Sequence, residues 1–224
     1  MNIEIEIEIN KIYPSIMGET NYWGQGIPVT IIRFQGCSLK CRYCDTKEAR
    51  KKGGGTLLKI KQILKEVKKY KINRVLITGG EPLEQSDELQ LLITMLHFEG
   101  YGICIETNGM HSIGDMDTLF VDCLVVDWKS HIDGYQNDML VSEIQYLGEN
   151  DFVKFLIYDH SDFVNAKKFV VANDHLDVNF AFSAISYNKS INSAILTEWL
   201  IKEPSLQHCL LNVQIHKLIG LKEK

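Results

Sequence analysis

The 224-residue chain is predicted to be an α/β protein, an open partial (β/α) barrel of about six parallel strands. Three observations predict this. Short β-branched runs alternate with amphipathic helical stretches, which implies βαβ units. The runs are too few for a closed eight-stranded barrel. The residues with distinctive chemistry fall where the runs end, and the carboxyl ends of strands form the active face of barrels and parallel sheets.

Each element has its own signal. Ile3, Ile5, Ile7 and Ile9 alternate with Glu4, Glu6 and Glu8, the period-two pattern of a half-buried strand. This strand is one candidate for an open sheet edge. Val29 to Phe34 is a second strand, followed directly by a cysteine-rich loop and a Lys-Lys-Gly-Gly-Gly turn at 51–55. Leu57, Ile60, Ile63, Leu64 and Val67 then recur at helical spacing, giving an amphipathic helix with a solvated lysine face. Arg74 to Thr78 is a strand that ends at Gly79-Gly80-Glu81-Pro82, and a helix runs from Ser86 to His97 before Gly100. Strands follow at Tyr101 to Glu106, Cys123 to Asp127, Val153 to Tyr158 and Val178 to Ala184. Helices are expected at Ser161 to Ala172 and at Ile191 to Lys202, and Leu210 to Gly220 is the last segment. No repeat, linker or low-complexity tract interrupts the pattern, so 1–224 reads as one domain.

Composition narrows the function. The apolar fraction is 45% and the net charge is −5, which disfavours nucleic-acid binding by bulk electrostatics. The first ten residues lack a basic region followed by an apolar one, so no signal peptide is expected. No apolar run approaches the ~20 residues that span a bilayer. A soluble, cytoplasmic protein is expected, with no membrane and no direct nucleic-acid partner.

Three of the six cysteines lie within eight residues, in Cys37-Ser38-Leu39-Lys40-Cys41-Arg42-Tyr43-Cys44. Cytosolic proteins seldom keep structural disulfides, so such a group points to metal or redox chemistry. Three thiolates on one loop can hold three irons of a [4Fe–4S] cubane and leave the fourth open. A structural zinc wants four ligands, and no second cysteine pair is present. A redox pair of Cys41 and Cys44 is a further reading, but it leaves Cys37 without a role. Cys104, Cys123 and Cys209 read as structural residues, the first two as small buried hydrophobes.

The C-x3-C-x2-C spacing resembles that of the radical S-adenosylmethionine superfamily, and Gly79-Gly80-Glu81-Pro82 resembles its Gly-Gly-Glu motif. That resemblance implies a partial barrel of the radical S-adenosylmethionine type. It also implies a cofactor whose methionine amino and carboxylate groups chelate the open iron, and which yields a 5′-deoxyadenosyl radical on reduction. Five segments carry a closer likeness: Ile12 to Glu19 with Gly24 to Pro28, Ile32 to Thr46, Ile77 to Gln85, Ile105 to Gly109, and Val213 to Gly220. Together they resemble the 7-carboxy-7-deazaguanine synthase family. The resemblance implies conversion of 6-carboxy-5,6,7,8-tetrahydropterin to 7-carboxy-7-deazaguanine with loss of ammonia, a step of 7-deazapurine (queuosine) biosynthesis.

The resemblance also assigns roles. Ile16, Met17, Gly18, Glu19, Arg33, Thr78, Gln214 and His216 would meet the pterin. Glu19 suits an amidine-like edge because a carboxylate accepts paired N–H donors. Tyr43, Gly79, Gly80, Glu81, Asn108, Asp127, Trp128 and Lys129 would line the S-adenosylmethionine site. Cys37, Cys41 and Cys44 would hold the cluster, and Thr46 would be a ligand to Mg2+. The chain departs from the family's usual residues at Met17, Thr20, Ser38 and Tyr43; Met17 offers no good side-chain hydrogen bond. The family is commonly homodimeric, and an electron donor such as flavodoxin or ferredoxin is implied. Two other classes stay open: an enzyme that makes a glycyl radical on a protein partner, and a non-catalytic zinc module.

Overall fold

The computed structural model describes residues 5–185 and 191–221; Ile3 and Glu4 lie outside them. The strands are β1 (Glu6–Ile16), β2 (Pro28–Phe34), β3 (Thr56–Lys59), β4 (Arg74–Gly79), β5 (Gly102–Thr107), β6 (Cys123–Trp128), β7 (Phe152–Ile157), β8 (Asn179–Ala184) and β9 (Leu210–Asn212). The helices are α1 (Ile60–Lys69), α2 (Ser86–Phe98), α3 (Asp138–Glu143), α4 (His160–Ala172), α5 (Ser193–Lys202) and α6 (Ile215–Leu218). One open sheet runs in the order β3-β1-β2-β4-β5-β6-β7-β8-β9. Strands β2 and β4 to β9 are mutually parallel, and β1 is antiparallel to both β2 and β3.

The six expected parallel strands are present, and β9 adds a seventh at the start of the last segment. Two expectations are corrected. The Ile-Glu part of the N-terminal strand is no open edge, because β3 pairs with the outer side of residues 6–9, Glu6 opposite Lys59 and Ile9 opposite Thr56. Leu57 belongs to β3 and is 61% exposed, so it does not begin the helix. Its spacing fits the helical stripe, but a free partner edge on β1 captures residues 56–59 first, and tertiary pairing overrides local preference.

The sheet has two differently used faces. On one, Ile7, Ile9, Ile32, Ile77, Ile105, Val126, Phe155 and Phe182 pack against the helices, including Ile63, Leu92, Leu96, Phe163 and Leu196. On the other, a smaller cluster of Tyr13, Met17, Val29, Ile31, Leu76, Cys104, Cys123 and Val125 fills the base. The register of β1 shifts between Ile9 and Lys11, which marks a bulge. Because side chains alternate, one extra residue sends those beyond it to the opposite face. Ile7 and Ile9 therefore face the helices while Tyr13 faces the inner side, where the following loop begins. Cys104 and Cys123 are opposite each other across β5 and β6 and fully buried, in keeping with their reading as small hydrophobes. Cys209 packs half-buried at the rim of the helix-side core.

Candidate active site

The inner face ends in a row of polar side chains, one from each parallel strand: Arg33, Thr78, Glu106, Asp127, Lys154, Ser183 and Asn212. Alternation places them, since each lies two residues beyond an apolar residue of the inner base or beside its strand partner. Two cavities open over this row. The first is lined by Cys37, Cys41, Tyr43, Cys44, Gly79, Gly80, Glu81, Asn108, Asp127, Lys129 and Gln214. The second is lined by Ile16, Gly18, Arg33 and His216, with Ser15 and Tyr13. They share Glu19, Asp45, Thr46, Thr78, Glu106 and Lys217.

The cysteine loop is fixed at both roots. Gly36 N donates to Ala49 O at 2.8 Å and Cys37 N to Arg50 O at 2.9 Å. The buried Gln35 amide closes the far end by donating to Glu48 O (3.0 Å) and Lys51 O (2.6 Å). Gly80 N donates to Phe34 O and Glu81 N to Gly36 O. A Cβ on Gly80 would stand 1.9 Å from Gly36 O, and Gly79 has φ +137°. The paired glycines thus let β4 approach the backbone of the cysteine loop, a packing need additional to any close approach to a ligand.

Glu81 is fully buried. It accepts hydrogen bonds from Leu83 N (2.9 Å), Thr107 Oγ1 (2.7 Å) and Asn108 N (2.6 Å), so it fastens the end of β4 to the end of β5. Burial pushes its carboxyl up to about 7 despite those three donors. Asn108 Nδ2 lies 3.9 Å from Cys37 Sγ. Lys129 Nζ donates to Asp127 Oδ2 at 2.8 Å. Burial opposes the Lys129 charge, and the Asp127 carboxylate more than offsets it, so the ammonium is retained.

Glu19 sits on the loop between β1 and β2. Its Oε2 accepts from Lys154 Nζ (2.7 Å) and Asn212 Nδ2 (3.0 Å), and its Oε1 from Gln214 Nε2 (2.7 Å). Burial resists ionisation, but the Lys154 charge and the Lys154 and Gln214 hydrogen bonds outweigh it and hold the carboxyl below its usual range. Glu106 accepts from Thr78 Oγ1 at 2.9 Å. Burial first, then the Glu19 charge, pushes its carboxyl up to about 7 against the pull of Lys154. Arg33 Nη2 donates to Tyr13 Oη at 2.6 Å. The His216 ring lies against Gly18, where a Cβ would be 1.9 Å from Nδ1.

Two of the predicted site residues are not brought to either cavity. Met17 is buried in the inner apolar base, and its N–H and C=O are taken by Ile27 O and Gly26 N. An apolar side chain at this point finds its place under the site. Trp128 alternates with Asp127 and Lys129, so it faces the helices, with its ring centroid 4.5 Å from that of Phe169. The sequence reading missed Glu106, Lys154, Ser183 and Asn212. Lys154 carried a usable signal, because a lone charge between Val153 and Phe155 in a buried parallel strand demands a partner.

Three free thiols facing a cavity that also holds the Asp127–Lys129 pair fit a cluster with an open iron and a zwitterionic ligand beside it. Residues 31–120 match the model of the radical SAM superfamily, which is the class of enzyme that the open sheet and the cysteine-lined cavity define. A 7-carboxy-7-deazaguanine synthase of Koribacter versatilis is 33% identical over 73% of this chain and 70% of its own. One from Clostridium acetobutylicum is 31% identical over 92% of this chain and 93% of its own. The crystal structure of QueE from Escherichia coli has the same fold, with a TM-score of 0.75 at 22% identity, covering 94% of this chain and 95% of that one. The chain belongs to the 7-carboxy-7-deazaguanine synthase family. It is a radical S-adenosylmethionine enzyme of 7-deazapurine synthesis with a [4Fe–4S] cluster, so the zinc-module reading is set aside.

Proposed function

We propose that the enzyme converts 6-carboxy-5,6,7,8-tetrahydropterin to 7-carboxy-7-deazaguanine with release of ammonia. The observation that carries this reading is the second cavity, which opens onto the cysteine-lined one through Thr78 and Glu106. It offers an ionised carboxylate, Glu19, for the paired N–H donors of a pterin edge. It also offers the planar guanidinium of Arg33 for a substrate carboxylate. Bound together, cluster and S-adenosylmethionine supply the radical chemistry. The residues of the chain bind, orient and exclude water around it. Loss of ammonia needs a proton at the departing nitrogen. Glu106, half-buried between the cavities with its carboxyl pushed up to about 7, can hold and release one through its carboxyl oxygens. The test is anaerobic incubation of the cluster-loaded enzyme with this pterin, S-adenosylmethionine, reductant and Mg2+, followed by mass spectrometry. 7-Carboxy-7-deazaguanine is expected; its absence with an intact cluster would overturn the substrate assignment.

Thr46 is proposed as the protein's ligand to Mg2+. Its hydroxyl lies at the junction of the two cavities and 3.2 Å from Asp45 Oδ1, a hard-oxygen setting that suits this ion. Mg2+ should raise turnover, and Thr46→Val should blunt that response. An unchanged Mg2+ titration in the variant would remove Thr46 from the metal site.

The remaining partners follow from the surface. Lys40, Lys47 and Lys51 are exposed on the cysteine loop of a chain whose net charge is −5. This local excess favours an acidic electron carrier such as flavodoxin or ferredoxin over a direct contact with a basic one. The open edges at β3 and β9, with Leu210, Leu218 and Ile219 exposed, favour a homodimer. No helix among the described residues is long and apolar enough to cross a membrane.

A further inference from the structure

Lys154 stands at the centre of β7, in the run Phe152-Val153-Lys154-Phe155-Leu156-Ile157, where every other residue is apolar. It is 5% exposed. Its Nζ lies 2.7 Å from Glu19 Oε2 and 3.0 Å from Asp127 Oδ1. A buried ion pair is seldom the cheapest way to stabilise a core, since apolar residues of similar size commonly do as well or better. The fold alone therefore gives no reason for an ammonium here. A reason appears at the other end of its hydrogen bond. Glu19 belongs to a loop, not to a strand, and needs tethers to stay in the cavity. Asn212 and Gln214 supply two of them, but both are neutral amides. Asp127 stands in the same enclosure, and its charge disfavours ionisation of Glu19. Among the groups bonded to Glu19, Lys154 is the cation, and it is mounted on a strand paired on both sides, with Asp127 and with Ala181.

We infer that Lys154 is the positioning residue for substrate binding, holding the Glu19 carboxylate ionised and aimed into the cavity for the N–H donors of the substrate. This deepens the substrate reading above and rests on it. Lys154 touches the cofactor-side carboxylate Asp127 as well, but Lys129 holds the other oxygen of that group. Among the described residues, Asp127 keeps a bonded cation when Lys154 is lost, and Glu19 keeps only its amide donors.

The expected signature is a separation of substrate affinity from cofactor chemistry. In cluster-loaded enzyme, Lys154→Met should raise KM for the pterin by about tenfold or more, a larger factor than any fall in kcat. Lys154→Arg should return KM to within about threefold of the parent enzyme, because it restores the charge. Cleavage of S-adenosylmethionine in the absence of pterin should fall by less than kcat/KM for the pterin in both variants. Should the methionine variant not fold, Lys154→Gln carries the same expectation. An unchanged KM in a folded, cluster-loaded variant would overturn the inference. So would an equal loss in substrate-free cleavage, which would assign Lys154 to Asp127 and the cofactor. Parent enzyme run beside the variants separates the two readings. If the pterin is the wrong substrate, the parent itself is silent and the inference falls with it. If only the inference is wrong, the parent and the variants turn over with the same KM.

Discussion

Replacing Cys41 by alanine is expected to abolish both the brown colour of anaerobically prepared protein and all cleavage of S-adenosylmethionine. The parent enzyme should carry about four irons and four sulfides per chain. Cys37, Cys41 and Cys44 bring three thiols to one cavity wall, and no fourth cysteine lines it, so every one of them is needed to leave a single iron open. Cys41 is the most enclosed of the three, so water has little room to take its place. The loop itself is held by Gln35 and by backbone hydrogen bonds from Gly36 and Cys37, none of which involves a cysteine side chain. The variant should therefore fold with unchanged secondary structure by circular dichroism. Iron and sulfide analysis, with electron paramagnetic resonance after reduction, provides the check. A variant with a full complement of iron and full activity would refute the cluster assignment.

Glu19→Gln is expected to lower kcat/KM for the pterin by about ten- to hundredfold, the equivalent of about 1–3 kcal/mol. Glu19 accepts from three donors on two distant segments: Lys154 on β7, and Asn212 and Gln214 at and just beyond the end of β9. An amide presents its NH2 to at least one of them and removes one of the two carboxylates that face the buried Lys154, which keeps Asp127 at 3.0 Å. Weakening the compensation of a buried charge destabilises the fold, so the melting temperature should fall as well. Substrate-free cleavage of S-adenosylmethionine should fall less than pterin turnover, because the Asp127–Lys129 pair remains. Steady-state kinetics alongside thermal unfolding measures both effects. Unchanged kcat/KM would remove Glu19 from the substrate site.

The parts that were legible in the sequence are those that repeat at a fixed period or that carry their chemistry in one short run. The six central parallel strands follow from β-branched runs, and α2, α4 and α5 end within a few residues of their expected limits. The cysteine loop and the Gly-Gly-Glu turn were readable because all their residues are neighbours in the chain. What was not readable depends on contacts between distant segments. Leu57 fits a helical stripe and becomes a strand residue only because β1 offers an edge. The bulge after Ile9 turns Tyr13 toward the inner face, and nothing in the Ile-Glu alternation announces it. Met17 and Trp128 were assigned by motif position, but backbone pairing at Ile27 and strand alternation at Asp127 decide where they face. Asn212, 193 residues from Glu19, joins the site only because β9 pairs with β8.

The central claim is that this one enclosure binds S-adenosylmethionine and the carboxylated pterin side by side and returns the cofactor intact after each ring contraction. The most direct measurement is the ratio of deazapurine formed to S-adenosylmethionine supplied, with the cofactor limiting and the pterin in excess, under anaerobic conditions. The account predicts that 7-carboxy-7-deazaguanine and ammonia form in equal amounts and exceed the cofactor supplied, with little 5′-deoxyadenosine accumulating. One 5′-deoxyadenosine released per turnover, or cofactor consumed without any deazapurine, would contradict it and point instead to an enzyme that spends the cofactor on a protein radical.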